Sequence, residues 1–450
     1  MTGSLVGPII TLVMLALTLA WAMLLKAGVY PSDWVTAILF VGLISLVYWM
    51  FARRRELAPR PMLWLRCVIW ALPCYCAFQL LPLPLGLLGV LSPARAHLVA
   101  ALASAVPGIS KAPISVNPPM ALFWSFSILS YIAVFFLVRE LSWRFQERPW
   151  TAVVPLVVIA SLEAVIGMLQ VSAGWPNAEG SGTYTNRDHF SGMLEMVLPL
   201  AVIGGWAILR RSREGFERSI FPIIGVCLVW AVAALLLTAI TYSMSRMGFF
   251  DALFSLFVIG ALSLGPRLPS QNVRMASLTL VAVGMLALFI FLPPDQLIGR
   301  FAEMSATGKV SGDTRVFFWK ETTSLISEFP LFGCGLGGFE STFLKYQGVA
   351  NANRVEMAHN DYLQYLAELG WFGFSILIAG IVGILIPVVK GLAKLKDENR
   401  RLLLVACLGS FVAIALHSLV DFNLYIPANT MVLAWIAGVA SGNAVEYEPT

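Results

Sequence analysis

Residues 220–240 read IFPIIGVCLVWAVAALLLTAI, a run without a single charge. At a rise of about 1.5 Å per residue, a helix of this length covers about 30 Å, the hydrocarbon thickness of a bilayer. Just before it stand Arg210, Arg211, Arg213 and Arg218. An uncharged run with a basic flank marks a membrane helix and its cytoplasmic end. This stretch decides the fold because the remainder of the chain repeats it.

Working outward, comparable apolar runs fall near 4–26, 33–51, 63–81, 120–138, 152–172, 188–209, 247–265, 275–292, 361–388, 402–420 and 424–442. With 220–240 they predict twelve spans. Every even-numbered exit is basic: Arg53, Arg54, Arg55 and Arg60 follow the second, and Arg139, Arg144 and Arg148 the fourth. The arginines already quoted follow the sixth, Arg267 and Arg274 the eighth, and Lys390, Lys394, Lys396, Arg400 and Arg401 the tenth. This alternation puts those loops and both termini in the cytoplasm. The short odd-numbered loops carry few positive charges, Lys26, Arg95, Lys111, Arg187 and Arg246, while the long loop 293–357 is mixed in charge, as long loops translocate largely regardless of charge. The expected architecture is an all-α integral membrane protein of about twelve transmembrane helices. Residues 1–450 form one polytopic domain, with 293–357 inserted between spans nine and ten as a large periplasmic loop. The Pro-rich stretch 82–119 reads as a possible re-entrant segment, and 241–247 as a break between spans.

Composition agrees. Of 450 residues, 58% are hydrophobic and 12% charged, whereas soluble domains carry roughly 25% charged residues. The net charge of +5 is distributed as topology requires, with no basic stripe interleaved with aromatics, so no nucleic-acid partner is expected. Five of the six cysteines lie in apolar runs and only Cys334 falls in the loop, which implies no disulfide framework. The apolar N-terminus lacks a basic n-region and a small-residue cleavage site, and reads as the first span rather than a removed signal peptide.

Within the loop, Asp313 to Phe329 predicts an amphipathic helix. Val316, Phe317, Trp319, Thr323 and Ile326 form its stripe, Ser311 or Asp313 its N-cap, and Pro330 its stop. GCGLGG at 333–338 reads as a turn. It lacks the Lys-Ser/Thr and the strand context of a phosphate loop.

Ionisable groups near a membrane are costly and raise a functional question. Arg246, Arg315, His359 and Asp421 come from four distant parts of the chain, yet all map to the periplasmic end of a span or to the loop. Two arginines suit a diphosphate. A histidine can take a proton from a hydroxyl, and an aspartate can orient that histidine or bind the sugar. The set fits displacement by a sugar hydroxyl on a glycosyl diphosphate, with the arginines balancing charge on the leaving group. Taken singly, each has a plainer reading. Arg246 snorkels to an interface or caps a helix, and Arg315 is an exposed loop charge. His359–Asn360 starts the tenth span with Asn360 as N-cap, and Asp421 pairs with His417 one turn earlier. Asn186, Arg187, Asp188 and His189, in GTYTNRDHFSG, are either a wall of the same cavity or a polar helix cap. Asp-x-Asp metal motifs of nucleotide-sugar enzymes are missing, and no metal ligand or cofactor is expected.

SRMG at 245–248, Arg315-x3-Trp319, FPLFGCGLGGFESTF at 329–343 and AHNDYLQYLAELGWFG at 358–373 together resemble the O-antigen ligase and Wzy-type polysaccharide polymerase superfamily. The motif-bearing region runs from about Thr183 to Asp421. The resemblance implies a glycosyltransferase of the bacterial inner membrane. It would move a glycan from undecaprenyl diphosphate onto an acceptor sugar hydroxyl at the periplasmic face, without metal and with inversion. The acceptor would be a lipid A core sugar for a ligase or a second lipid-linked glycan for a polymerase, for lipopolysaccharide or exopolysaccharide respectively. On this resemblance Arg246 and Arg315 bind the diphosphate, His359 is the base, and Asp421 is the functional aspartate. Asn186, Arg187, His189, Trp319 and Asn360 are expected to line the cavity. The rival from another class is a transporter or flippase of lipid-linked oligosaccharides, which predicts internal symmetry and polar groups near mid-membrane.

Overall fold

The structure is a computed structural model that describes residues 5–52, 57–102, 107–174, 180–214, 220–264, 271–291, 315–348 and 354–445. Long helices follow one another as α1 (Val6–Leu24), α2 (Pro31–Phe51) and α3 (Leu63–Leu80). Two short helices, α4 (Leu85–Leu91) and α5 (Pro93–Leu102), precede α6 (Pro118–Arg144), α7 (Val154–Ser172), α8 (Arg187–Glu214), α9 (Phe221–Tyr242), α10 (Arg246–Leu264) and α11 (Gln271–Phe291). The loop contributes α12 (Arg315–Glu328) and α13 (Phe339–Phe343), and the chain ends with α14 (Asp361–Lys394), α15 (Glu398–His417) and α16 (Pro427–Asn443). Each predicted span coincides with one long helix. Among the described residues, ten of these are long and apolar enough to cross a membrane: α1–α3, α6–α10, α14 and α15. The break at 241–247 is real: α9 ends at Tyr242 and α10 opens at Arg246, with Met244 between them at φ +59°.

The bundle is organised around α8 and α15, whose apolar windows are 72% and 67% buried, against 17% for α2 and α14. Outer helices turn residues such as Leu39, Phe221 and Leu228 outward, as lipid-facing surfaces do. Small residues bring α16 against α6. A Cβ at Gly438 would stand 2.8 Å from the carbonyl oxygen of Phe135, and one at Gly442 would stand 2.6 Å from that of Arg139. Only glycine permits such backbone approach, and close packing is the main attraction between helices in lipid. Two fully buried indoles find partners: Trp34 Nε1 donates to Ser127 Oγ at 3.0 Å and Trp435 Nε1 to the Ala152 carbonyl at 2.8 Å.

Basic clusters meet at one end. Arg139 donates to Ser441 Oγ (3.1 Å) and the Pro59 carbonyl (2.6 Å), Arg210 pairs with Glu398 (2.8 Å), and Arg400 donates to the Asn443 carbonyl (2.8 Å). Arg53, Arg54, Arg55, Arg218, Arg267, Ser311 and Asp313 lie outside the described residues.

At the other end the described loop residues 315–348 and 354–357 and the described residues of 82–117 form a cap. Leu83–Pro84 (β1) pairs antiparallel with Lys111–Ala112 (β2). Ala94 of α5 packs with Leu325, Ile326 and Phe329 and with Phe339 and Phe343 of α13. Helices of 7 and 10 residues are too short to cross, so α4 and α5 belong to this cap, and Pro118 and Pro119 already open α6. The loop helix buries Thr322, Leu325 and Ile326, while Val316, Phe317 and Thr323 are exposed. The expected stripe is therefore rotated. Of the stripe, Ile326 is buried and Trp319 half-buried, and the cap packs on Leu325, Ile326 and Phe329 near the helix end.

GCGLGG is a turn wedged into a break in α14. Gly370 has φ +62°, and Trp371 and Phe372 donate to the carbonyls of Pro330 and Leu331 (2.8 and 3.1 Å). The amides of Gly337 and Phe339 donate to Glu368 at 2.6 and 3.2 Å. The acceptor of these amides is thus a carboxylate of the chain itself.

Candidate functional site

The segment entering α14 is tied to the turn leaving α15 by a run of short polar contacts. Asn360 caps α14 by accepting from Leu363 N (3.0 Å), and its amide donates to the Leu419 carbonyl (2.7 Å). Asp361 N donates to the carbonyls of Ser418 and Asp421. The Asp361 carboxylate accepts from Ser418 Oγ (2.8 Å) and Leu424 N (3.1 Å). Between cap and loop, His359 is held at φ +51°, a conformation that costs a non-glycine residue about 1–3 kcal/mol. Trp319 of α12 donates its indole N–H to the His359 carbonyl (3.2 Å). The strained backbone is thus fixed from both sides, and the imidazole is aimed rather than left to rotate with the chain.

It is aimed at Asp421. His359 Nδ1 lies 3.5 Å from Asp421 Oδ1, and His189 Nε2 from α8 approaches the same oxygen at 3.7 Å. Phe422 stands edge-on to both rings, with centroids 4.9 and 4.6 Å away. Asp421 is fully buried while 29% of the His359 side chain is exposed. Burial pushes the Asp421 carboxyl up, but His189, His359 and the Arg315 charge more than offset it and hold the group well below the usual carboxylate range. Asp421 is thereby kept ionised, as an acceptor suited to fixing the tautomer of a neighbouring imidazole.

Arg315, first residue of α12, reaches across the cap. Nη1 donates to the Val420 carbonyl (2.7 Å) and Nη2 pairs with Asp188 Oδ2 (3.3 Å). Arg246 opens α10 two residues before Gly248, which packs directly on Ser191 of α8. It therefore sits beside the first turns of α8, which carry Asp188 and His189. Asn186 accepts from Asp188 N (2.8 Å) and caps α8, with Arg187 as the first residue of that helix. The side chains of Asn186 and Asn360 are thus engaged with backbone at helix starts.

Below Asp421 the polar chain continues inward. His417 Nε2 lies 4.0 Å from Asp421 Oδ2, one turn away as the spacing suggested. On its other side, His417 Nδ1 is 3.0 Å from Glu195 Oε1 and 3.8 Å from Asp251 Oδ2. Glu195, Asp251 and His417 are buried, from α8, α10 and α15. Sequence reading did not single out Glu195 or Asp251. The available signal was a lone carboxylate inside an apolar run, in GMLEMVLPLAV and MGFFDALFSLF.

A multi-pass helical membrane protein with a strained, aspartate-paired histidine and an anchored arginine under a loop cap is what these elements define. Residues 231–378, a stretch of the chain from α9 into α14, match the family model described as O-antigen ligase. The match takes in Arg246, Arg315, Trp319, His359 and Asn360; Asn186–His189 and Asp421 lie beyond it. No curated protein matches the chain.

Proposed function

We propose that the chain is an inverting glycosyltransferase of the bacterial inner membrane, working at the periplasmic face. It moves a glycan from undecaprenyl diphosphate to a sugar hydroxyl. The observation that carries this reading is the His359–Asp421 pair beside Arg315. With Nδ1 turned to Asp421, the Nε2 of His359 takes the acceptor proton. The acceptor oxygen then attacks the anomeric carbon from the face opposite the diphosphate, and the carbon–oxygen bond to the carrier breaks. Arg246 and Arg315 take up the charge left on the diphosphate. Exposed Val316 and Phe317, next to Arg315, offer apolar surface to the prenyl chain. The basic clusters at the opposite end support a periplasmic cap.

The test is a reaction of purified full-length protein with an undecaprenyl-diphosphate glycan. Two acceptors are offered separately: a lipid A core sugar and a second lipid-linked glycan. Release of undecaprenyl diphosphate with the first acceptor defines a ligase, and with the second a polymerase. Donor left intact with both acceptors, in protein that binds it, would overturn the assignment.

A further inference from the structure

The transferase chemistry uses the upper end of the polar chain and leaves its lower end unexplained. Glu195, Asp251 and His417 each offer a ligand atom, and these atoms all lie within 4.8 Å of one another. The three residues come from three different helices and are 0%, 0% and 1% exposed. Glu195 stands about 12 Å along α8 from its start and Asp251 about 8 Å along α10, at about 1.5 Å per residue. The cluster is therefore one to two turns beneath the cap.

Two carboxylates at such a place need strong compensation. His417 makes its hydrogen-bond contact with one oxygen, Glu195 Oε1 at 3.0 Å, and stands 3.8 Å from Asp251 Oδ2. Both oxygens of Asp251 and the second oxygen of Glu195 are buried without a hydrogen-bond partner among the described residues. Buried polar atoms are rarely left so, and each unmet one costs about 1–3 kcal/mol. Unmet oxygens on two carboxylates, each with a ligand atom within 4.8 Å of the other and of an imidazole nitrogen, form a ligand set rather than a scattered defect.

We propose that Glu195, Asp251 and His417 bind one divalent transition-metal cation, of the class of zinc or manganese. Mixed carboxylate and imidazole ligands suit these ions, with bonds of about 2.0–2.2 Å, which modest side-chain shifts bring within reach. The ion ties α8, α10 and α15 together. It also sets the tautomer of His417: with Nδ1 on the ion, the ring hydrogen resides on Nε2, which faces Asp421 Oδ2. A metal–histidine–carboxylate arrangement of this kind orients the carboxylate, so His417 is a positioning residue for Asp421. The ion site stands on the cluster itself; only its link to Asp421 rests on the transferase reading.

Full-length protein, with any affinity tag removed, is loaded in detergent with zinc alone or manganese alone. It is then desalted and assayed for metal by mass spectrometry. A single equivalent per chain is expected with at least one ion, and Glu195→Gln and Asp251→Asn should each weaken retention by roughly tenfold or more. The loaded wild type should also melt above its chelated form, because a ligand of the folded state stabilises it. Absence of bound metal with both ions would overturn the proposal, as would variants that keep the full equivalent. If the variants fail to fold, wild-type stoichiometry and melting shift decide. None of these readouts needs turnover, so a failed transferase assay leaves the metal result intact.

Discussion

His359 Nδ1 and Asp421 Oδ1 stand 3.5 Å apart across a boundary of exposure, with 29% of the imidazole side chain open and none of the carboxylate. A base must meet substrate, while the group that orients it works best away from water. In the proposed mechanism the pair divides those tasks between two loops that are 62 positions apart in sequence (421 less 359).

If the two act as a unit, removing either removes most of the effect. His359→Ala and Asp421→Asn are each expected to lower turnover by about 10²–10⁴-fold, the range for a general base. The double variant should fall little further, because coupled residues are not additive. Turnover of the three variants, with monodispersity as the folding control, checks this. A double variant that loses the product of the two single effects would show independent roles.

Asp421 also sets a pH dependence of stability. Its folded carboxyl is held below the ordinary value, so the unfolded chain binds that proton more readily. The resulting stabilisation is fully present above the unfolded value of about 3.9 and is lost as pH falls through the folded value. The melting-temperature gap between wild type and Asp421→Asn should be flat at neutral and mildly acidic pH and shrink below about pH 4. A gap that grows on acidification would contradict the ionised state.

Arg315 holds the Val420 carbonyl and Asp188 from one guanidinium. Lysine keeps the charge but not the fork, so Arg315→Lys is expected to act as a damaging change. A loss of about tenfold or more in kcat/KM for the lipid-linked donor is expected, since a hydrogen bond to a charged group contributes about 1.5–3 kcal/mol. Initial rates at varied donor concentration give the value. Wild-type kinetics in Arg315→Lys would leave the residue with charge alone.

Glu368 tests the cap rather than the chemistry. It accepts from the amides of Gly337 and Phe339, from Gln364 and from the Tyr425 hydroxyl. Glu368→Ala strands several buried donors at about 1–3 kcal/mol each, so a marked fall in melting temperature and yield is expected. Glu368→Gln keeps an acceptor oxygen and should fall less. Equal melting of all three proteins would show that the wedge does not hold the cap.

Much of the architecture was legible without coordinates. Runs such as 220–240 can satisfy their backbone in lipid only as helices, so length and charge located all the long helices. The break at 241–247 announced itself by polar residues. Arg246, Arg315, His359 and Asp421 were picked out because ionisable groups at a membrane edge are costly. The stripe of α12 was misread because periodicity in a short helix tells that one face is buried without telling which residues the partner accepts. Glu195 and Asp251 escaped because each is a single carboxylate in an otherwise ordinary span.

Sequence alone determined that this chain lives in a membrane, where its helices lie, which end of each is basic, and which family model part of it matches, because these follow from local composition and motif. Only the tertiary structure decided what meets what. His359 faces Asp421 because a capped helix start is sewn to a distant turn, and His417 faces Glu195 and Asp251 because α8 and α15 pack through the centre of the bundle. Contacts between far-apart residues depend on how helices cross, and no local pattern encodes a crossing.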